Sequence, residues 1–179
     1  TGTVAFDGST ATYLPPAGFI GTASFTYAAW DGKTNSNLGT VTVSVGAASC
    51  PGSVESYGFP CPGSGDLLPL LSVDGCPAPG GNVTVTIENA YGGGTALLLI
   101  GADRATVVHR SGCVLRIQPL LLSFGPLPLA GSGPGHGTLT LPVPVPPNAP
   151  AKVTVQALLT DPGVSRGWTL TNAVEVKTQ

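Results

Sequence analysis

Four cysteines, two histidines and nine carboxylates are the residues of this 179-residue chain with the most chemistry to offer. Cys50, Cys61, Cys76 and Cys113 each lie beside Gly, Pro or Ser, where turns are expected. Zinc ligation calls for a C-x-x-C pair or a His at ligand spacing, and neither occurs. An even cysteine count in a Gly/Pro-rich chain instead reads as two disulfides formed in an oxidising compartment, with three possible connectivities. Cys50–Cys61 with Cys76–Cys113 is the favoured pairing. His109 and His136 are isolated from each other and from any cysteine or carboxylate pattern, so the default for both is a solvated turn residue.

Other stretches invite functional readings that their context weakens. Gly131 to Gly137 reads G-S-G-P-G-H-G, yet a phosphate cradle needs a helix after the glycines, and Thr138-Leu139-Thr140-Leu141 reads as a strand. Asp31 to Asn37, D-G-K-T-N-S-N, places oxygens at alternating positions as calcium loops do. It holds one carboxylate, and a hairpin turn needs the same residues. Neither G-x-S-x-G nor H-E-x-x-H appears. Glu55 falls in a linker and Glu88 and Glu175 on polar strand faces, so no paired-carboxylate site is expected. The chain is not expected to be an enzyme, and no metal or cofactor is implied. Trp168 is expected in a core, on the strand face of Leu170 and Val174. Trp30, on the face opposite Phe25 and Tyr27, either packs at a domain junction, the favoured reading, or stacks on a sugar.

The elements that must position these residues are strands. Twenty-six Gly and 18 Pro leave little uninterrupted room for helices. Only 9% of residues are charged, against roughly 25% in typical soluble domains, and no basic cluster exists to neutralise phosphates, which excludes nucleic acid as a partner. The longest apolar runs, Ala96 to Ile100 and Pro119 to Leu122, fall far short of the ~20 residues a membrane-spanning helix needs, so no membrane insertion is expected. The absence of Met and of a leader at Thr1 is read as a processed or partial chain.

Period-two alternation marks four short strands in residues 1 to 45: Val4 and Phe6; Ala11 and Tyr13; Ala23, Phe25, Tyr27 and Ala29; Val41, Val43 and Val45. Asp7-Gly8, Pro15-Pro16-Ala17-Gly18 and Asp31-Gly32 separate them. Residues 46 to 65 are rich in small residues, carry two cysteines and lack strand periodicity. They are expected to be a Cys/Gly/Pro/Ser linker, stiffened if Cys50 and Cys61 pair. Residues 66 to 179 predict eight strands: 67–73, 82–88, 95–100, 106–109, 114–122, 138–145, 152–159 and 168–177. Pro142, Pro144, Pro146 and Pro147 confine their segment to an edge or an extended stretch. The expected fold is all-β, with two β-sandwich domains, the first Ig-like and incomplete.

The series Gly2-Thr3-Val4, Gly8, Tyr13, Pro15 or Pro16, Gly18-Phe19, Gly21, Ser24-Phe25, Tyr27, Asp31-Gly32, Val41 and Val43 resembles the C-terminal half of bacterial Ig-like, cadherin-like tandem repeats of secreted adhesins. The residue before Ser24-Phe25, acidic in that family, is Ala23 here, and the family's calcium role is not carried over at that position. Residues 57 to 179, with Tyr57-Gly58, Cys61-Pro62-Gly63, Gly75-Cys76-Pro77, Gly112-Cys113, Gly133-Pro134-Gly135, Asp161-Pro162-Gly163 and Thr171-Asn172, resemble a C-terminal β-rich module of large secreted bacterial proteins.

An Ig-like sandwich needs about seven strands and ~100 residues, and four strands leave Tyr13, Phe19, Phe25 and Tyr27 facing a core with one wall. Together with both resemblances, this points to an extracellular or cell-surface structural protein, part of a bacterial fibre or filament assembled through β-domain contacts. Strand complementation would supply the second wall. Self-association or neighbouring subunits are the expected partners; an adhesin or glycan-binding module is the alternative. Val4, Phe6, Tyr13, Phe19 and Trp30 are the candidate assembly or ligand surface.

Overall fold

The structure, a computed structural model, describes residues 2–16, 19–46 and 50–179. Ala17 and Gly18 of the expected Pro15–Gly18 turn, and residues 47–49 of the expected linker, lie outside the described residues. The chain is all-β and divides into two units, Thr1–Ser49 and Cys50–Gln179.

In the first unit, β1 (Thr3–Phe6) pairs with β2 (Ala11–Leu14) and β3 (Gly21–Tyr27) with β4 (Gly39–Val45), each pair an antiparallel two-stranded sheet. Both D-G-x-T segments make the same side-chain-directed turn. Asp7 Oδ1 accepts from the N–H of Ser9 (2.9 Å) and Thr10 (2.7 Å), and Asp31 Oδ1 from the N–H of Lys33 and Thr34 (both 2.8 Å). Gly8 and Gly32 sit at φ +97° and +93°, a region that L side chains avoid. These N–H groups hold both carboxyls below the usual aspartate range. The register puts Val4 opposite Tyr13, Phe25 opposite Val41 and Tyr27 opposite Gly39. The Tyr27 ring lies where a Gly39 side chain would project, within 2.7 Å of a Cβ built there.

The second unit is a sandwich. Strands β5 (Ser53–Tyr57), β6 (Leu70–Gly75), β7 (Asn82–Gly92), β8 (Thr95–Val108), β9 (Val114–Pro128), β10 (Gly133–Pro144), β11 (Lys152–Thr160) and β12 (Trp168–Lys177) form two antiparallel sheets, ordered β5-β12-β11-β8-β9 and β10-β7-β6. The core between them contains Leu71 and Val73 from β6, Val83, Val85 and Ile87 from β7, Ala96 and Leu98 from β8, Val155, Ala157 and Leu159 from β11, and Val174 and Val176 from β12. Period-two patterning makes these runs apolar on one face.

Four expectations are corrected. Residues 53–57 are not linker but β5, the edge partner of β12, with Val54 opposite Val176 and Tyr57 opposite Ala173. The disulfides are Cys50–Cys76 and Cys61–Cys113, with Cα separations of 5.6 and 5.2 Å. The cause is β5 itself: an extended five-residue strand spans roughly 16 Å and holds Cys50 and Cys61 at opposite ends, beyond the ~7 Å reach of a disulfide. The separately expected strands 95–100 and 106–109 are one continuous strand, β8. Finally, Leu170 and Val174 do not share a face, because β12 gains a residue between the Gln156–Ala173 and Leu158–Leu170 pairs. This bulge turns Leu170 and Trp168 toward Leu158 and the Cys61–Cys113 bridge. Trp168 is accordingly half-buried on the sheet's outer face.

That outer face is covered by the molecule's own hairpin. β8 leaves its pairing with β11 at Gly101, opposite Thr154, and its outer half folds with β9 back across β11, β12 and β5. Only glycine fits at the crossing, since a Cβ on Gly101 would stand 2.9 Å from Ile117 Cβ. The free edge of β9 then rests on side chains. Fully buried Gln156 accepts the Arg116 N–H at Oε1 (2.8 Å) and donates from Nε2 to the carbonyls of Val114 (3.2 Å) and Thr171 (2.8 Å). Tyr57 donates its hydroxyl to the Arg116 carbonyl (2.8 Å), and Cys61–Cys113 bolts down the hairpin turn. Asn172 does the matching job inside, receiving the Leu71 N–H at Oδ1 (2.8 Å) and donating from Nδ2 to the Leu71 carbonyl (2.9 Å).

Replacing Gln156 by Leu keeps the volume and strands one N–H and two carbonyls. At about 1–3 kcal/mol for each buried orphan, reduced by relaxation, the second unit is expected to lose about 3 kcal/mol. Urea denaturation followed by Trp168 fluorescence in a Trp30→Phe background measures this loss.

Candidate functional site

The five surface residues singled out in the first unit are brought together only in part. Val4, Phe6 and Tyr13 lie on one face of the β1-β2 hairpin, since Val4 pairs with Tyr13 and Phe6 with Ala11. Phe6 is 70% exposed and Val4 39%, whereas Tyr13 is half-buried and stacks on Phe25, ring centroids 6.5 Å apart and planes 16° from parallel. Phe19, also half-buried, follows β2, its N–H donating to the Pro16 carbonyl. Trp30 is 62% exposed at the β3-β4 loop, in an isolated bridge with Asn35.

Among the described residues of this unit none reaches full burial, although Ala23, Phe25, Val41, Val43 and Val45 line one face of the β3-β4 hairpin. Every strand is an edge strand, because each sheet has only two. The arrangement can accept a strand along any of these edges and apolar cover over this face.

In the second unit, the polar chemistry gathers where the folded-back hairpin meets the sheet. Arg104 on β8 donates from Nε to Glu175 Oε2 (2.9 Å) and from Nη2 to Glu175 Oε1 (3.0 Å) and Glu55 Oε2 (2.5 Å), while its guanidinium lies over the Tyr57 ring at 4.4 Å. Lys177 stands 3.4 Å from Glu175, and Lys152 pairs with Asp103. Glu175 is expected on a polar strand face; the hairpin covers that face, leaving its side chain 7% exposed. The Arg104 hydrogen bonds hold Glu175 and Glu55 below the usual glutamate range, and the same two carboxylates raise Arg104. This grouping was invisible to spacing arguments, because its members come from four strands, β5, β8, β11 and β12. His109 is in the hairpin turn, its Nδ1 2.9 Å from Ser111 Oγ and its ring edge-on to Trp168. Asp161, buried, accepts from the N–H of Ser64 (2.8 Å) and Gly163 (3.0 Å) and fixes the loops around it.

Residues 1–44 match the sequence model of the family described as Bacterial Ig domain. The first unit is similar to a bacterial Ig-like repeat segment. No curated protein and no solved structure matches the chain. A bacterial Ig domain together with two disulfides fits an extracellular or surface protein of adhesin-like type.

The ion-pair group sets a pH dependence. Glu55 and Glu175 are depressed in the folded chain, so the unfolded chain binds more protons in the acid range and stability rises with pH there. Their contribution is present in full above the ordinary value of 4.5 and is lost as pH falls through the lower folded values. The urea midpoint of the second unit is therefore expected to drop on acidification below 4.5. Glu175→Gln is expected to lower the midpoint at neutral pH and to flatten that acid limb.

Proposed function

We propose that this chain is a structural component of a bacterial surface fibre, in which neighbouring subunits add β-strands to the first unit and so join in series. Its role is mechanical and associative rather than catalytic. One observation carries the reading: two hairpins present an aromatic and valine-rich face without a single fully buried side chain among the described residues. Isolated two-stranded sheets are marginal in water, and an Ig-like sandwich closes with about seven strands. A donated strand would satisfy the open edges and cover Tyr13, Phe25, Val41 and Val43 in one step. Because donor and acceptor surfaces differ, the contact is heterologous, and with a rotation that does not close a ring it propagates into a filament.

A second reading, a glycan-binding adhesin module, is favoured by the exposed Trp30 indole. Light scattering coupled to size-exclusion chromatography, with electron microscopy of the same fractions, tests the first. Concentration-dependent oligomers or filaments are expected, weakened by Phe6→Asp, whereas a well-folded monomer at high concentration would sink the proposal. Glycan-array binding that disappears in Trp30→Ala would move the assignment to the second reading.

A further inference from the structure

The second unit has a cleft of about 420 Å³ beside the Cys61–Cys113 bridge, lined among others by Phe59, Asp66, Arg116 and Arg166. Its size lies in the range of small-ligand sites, roughly 300–1,000 Å³. Arg116 and Arg166 are its cations. Arg104 takes two carboxylates for itself, whereas neither cleft arginine makes an ion pair among the described residues. Among the described residues the Arg116 side chain makes one hydrogen bond, a long one from Nη1 to Thr106 Oγ1 (3.4 Å), and its Nε is buried without an acceptor beside the backbone of Gly58. Arg166 is held in place by donating to the carbonyls of Trp168 and Pro62, with its guanidinium over the Trp168 ring at 5.9 Å. Phe59, at the mouth, is 83% exposed.

A guanidinium with unused donors, a second one fixed in position and an aromatic ring on a disulfide-braced floor form a preorganised carboxylate receptor. Much of the backbone around the cleft is already bonded within the fold and offers little to an extended peptide. Arg116 N–H and C=O are taken by Gln156 and Tyr57, Val114 C=O by Gln156, Cys61 N–H by Leu170, Gly63 N–H by Leu67 and Gly112 N–H by His109. Recognition must therefore run through side-chain charge and the open ring face, which suits a charged sugar better than a strand. With two cations and the single carboxylate of Asp66, the cleft favours an anion.

We propose that this cleft binds an acidic saccharide, Arg116 and Arg166 holding a uronate carboxylate while the Phe59 ring lies against the sugar. The site is independent of the assembly surface on the first unit.

Titrating the 179-residue chain with a trigalacturonate, read by amide shifts and calorimetry, tests the assignment. Shifts confined to residues around 59–63 and 111–116 are expected, with weakening by salt. Arg116→Gln is expected to lower affinity about tenfold. Phe59→Ala, at a position too exposed to affect folding, should weaken binding independently of any effect of the arginine variant on stability. The proposal is overturned if trigalacturonate produces no shifts at millimolar concentration, or if a neutral trisaccharide binds equally. A glutamate-rich peptide binding more tightly, or both variants binding like the parent, overturns it as well.

Discussion

The second unit depends on one buried carboxamide. A primary amide carries the donor and acceptor of a peptide unit, and Gln156 uses them as a neighbouring strand would, bonding the N–H of Arg116 and the carbonyl of Val114 on the free edge of β9. Its remaining hydrogen meets the Thr171 carbonyl at the β12 bulge. Without it, laying the outer half of the β8-β9 hairpin on the sheet would bury unpaired backbone groups, a cost that apolar contact from Ile117 would struggle to offset. With it, the hairpin can cover polar positions of β11 and β12. That is why Thr154, Thr171 and Glu175 are buried on strands that local alternation presents as half-solvated.

The same device recurs where the two sheets meet. Asn172 grips both backbone groups of Leu71 on the edge strand β6, so a sheet edge is satisfied by a side chain from the opposite sheet. The remaining edges are blunted by other means. β10 carries Pro134, Pro142 and Pro144, β9 carries Pro119 and Pro126, and β5 presents Glu55 paired with Arg104. Among the described residues of the first unit none of this is found: its strands have four free edges, no prolines and no amide cap. Among the described residues, then, one unit guards its edges and the other has four unguarded ones.

How much of this was legible follows from the range of each interaction. Period-two runs and Asp-Gly turns are local, and all four strands of the first unit were read from them, as were β11 and β12 to within a residue or so. β5 was missed because a five-residue strand with Val54 as its one aliphatic residue, flanked by Gly, Pro and Ser, carries almost no periodic signal; its strand character comes from the edge of β12. The disulfide pairing failed for the same reason, since it follows from where β5 runs. Gln156 alternates correctly in K-V-T-V-Q-A-L-L-T and reads as an outward polar position; what buries it is a hairpin whose contacting residue, Arg116, lies 40 residues away in sequence. Arg116, in V-L-R-I-Q, carries no local signal of its role for the same reason. Its significance depends on Gly58 and the Cys61 loop closing around it.

The scarcity of charge then acquires a structural logic. A chain with seven cations has few to distribute, and the second unit places Arg104, Lys152 and Lys177 where the folded hairpin meets the sheet, each against a carboxylate. A half-buried ion pair gains more than a solvent-exposed one only when its geometry is fixed. Here the Arg104–Glu175 fork is fixed by the Tyr57 ring beneath it and by the hydrogen bond that the hydroxyl of that same tyrosine donates to the Arg116 carbonyl. Tyr57 thus links the ion-pair group to the strand bearing the cleft arginine, and the amide of Gln156 holds that strand from its other side. A substitution that loosens the hairpin is felt at once by the paired charges and by the unpaired arginine, because both hang on the same few residues of β9.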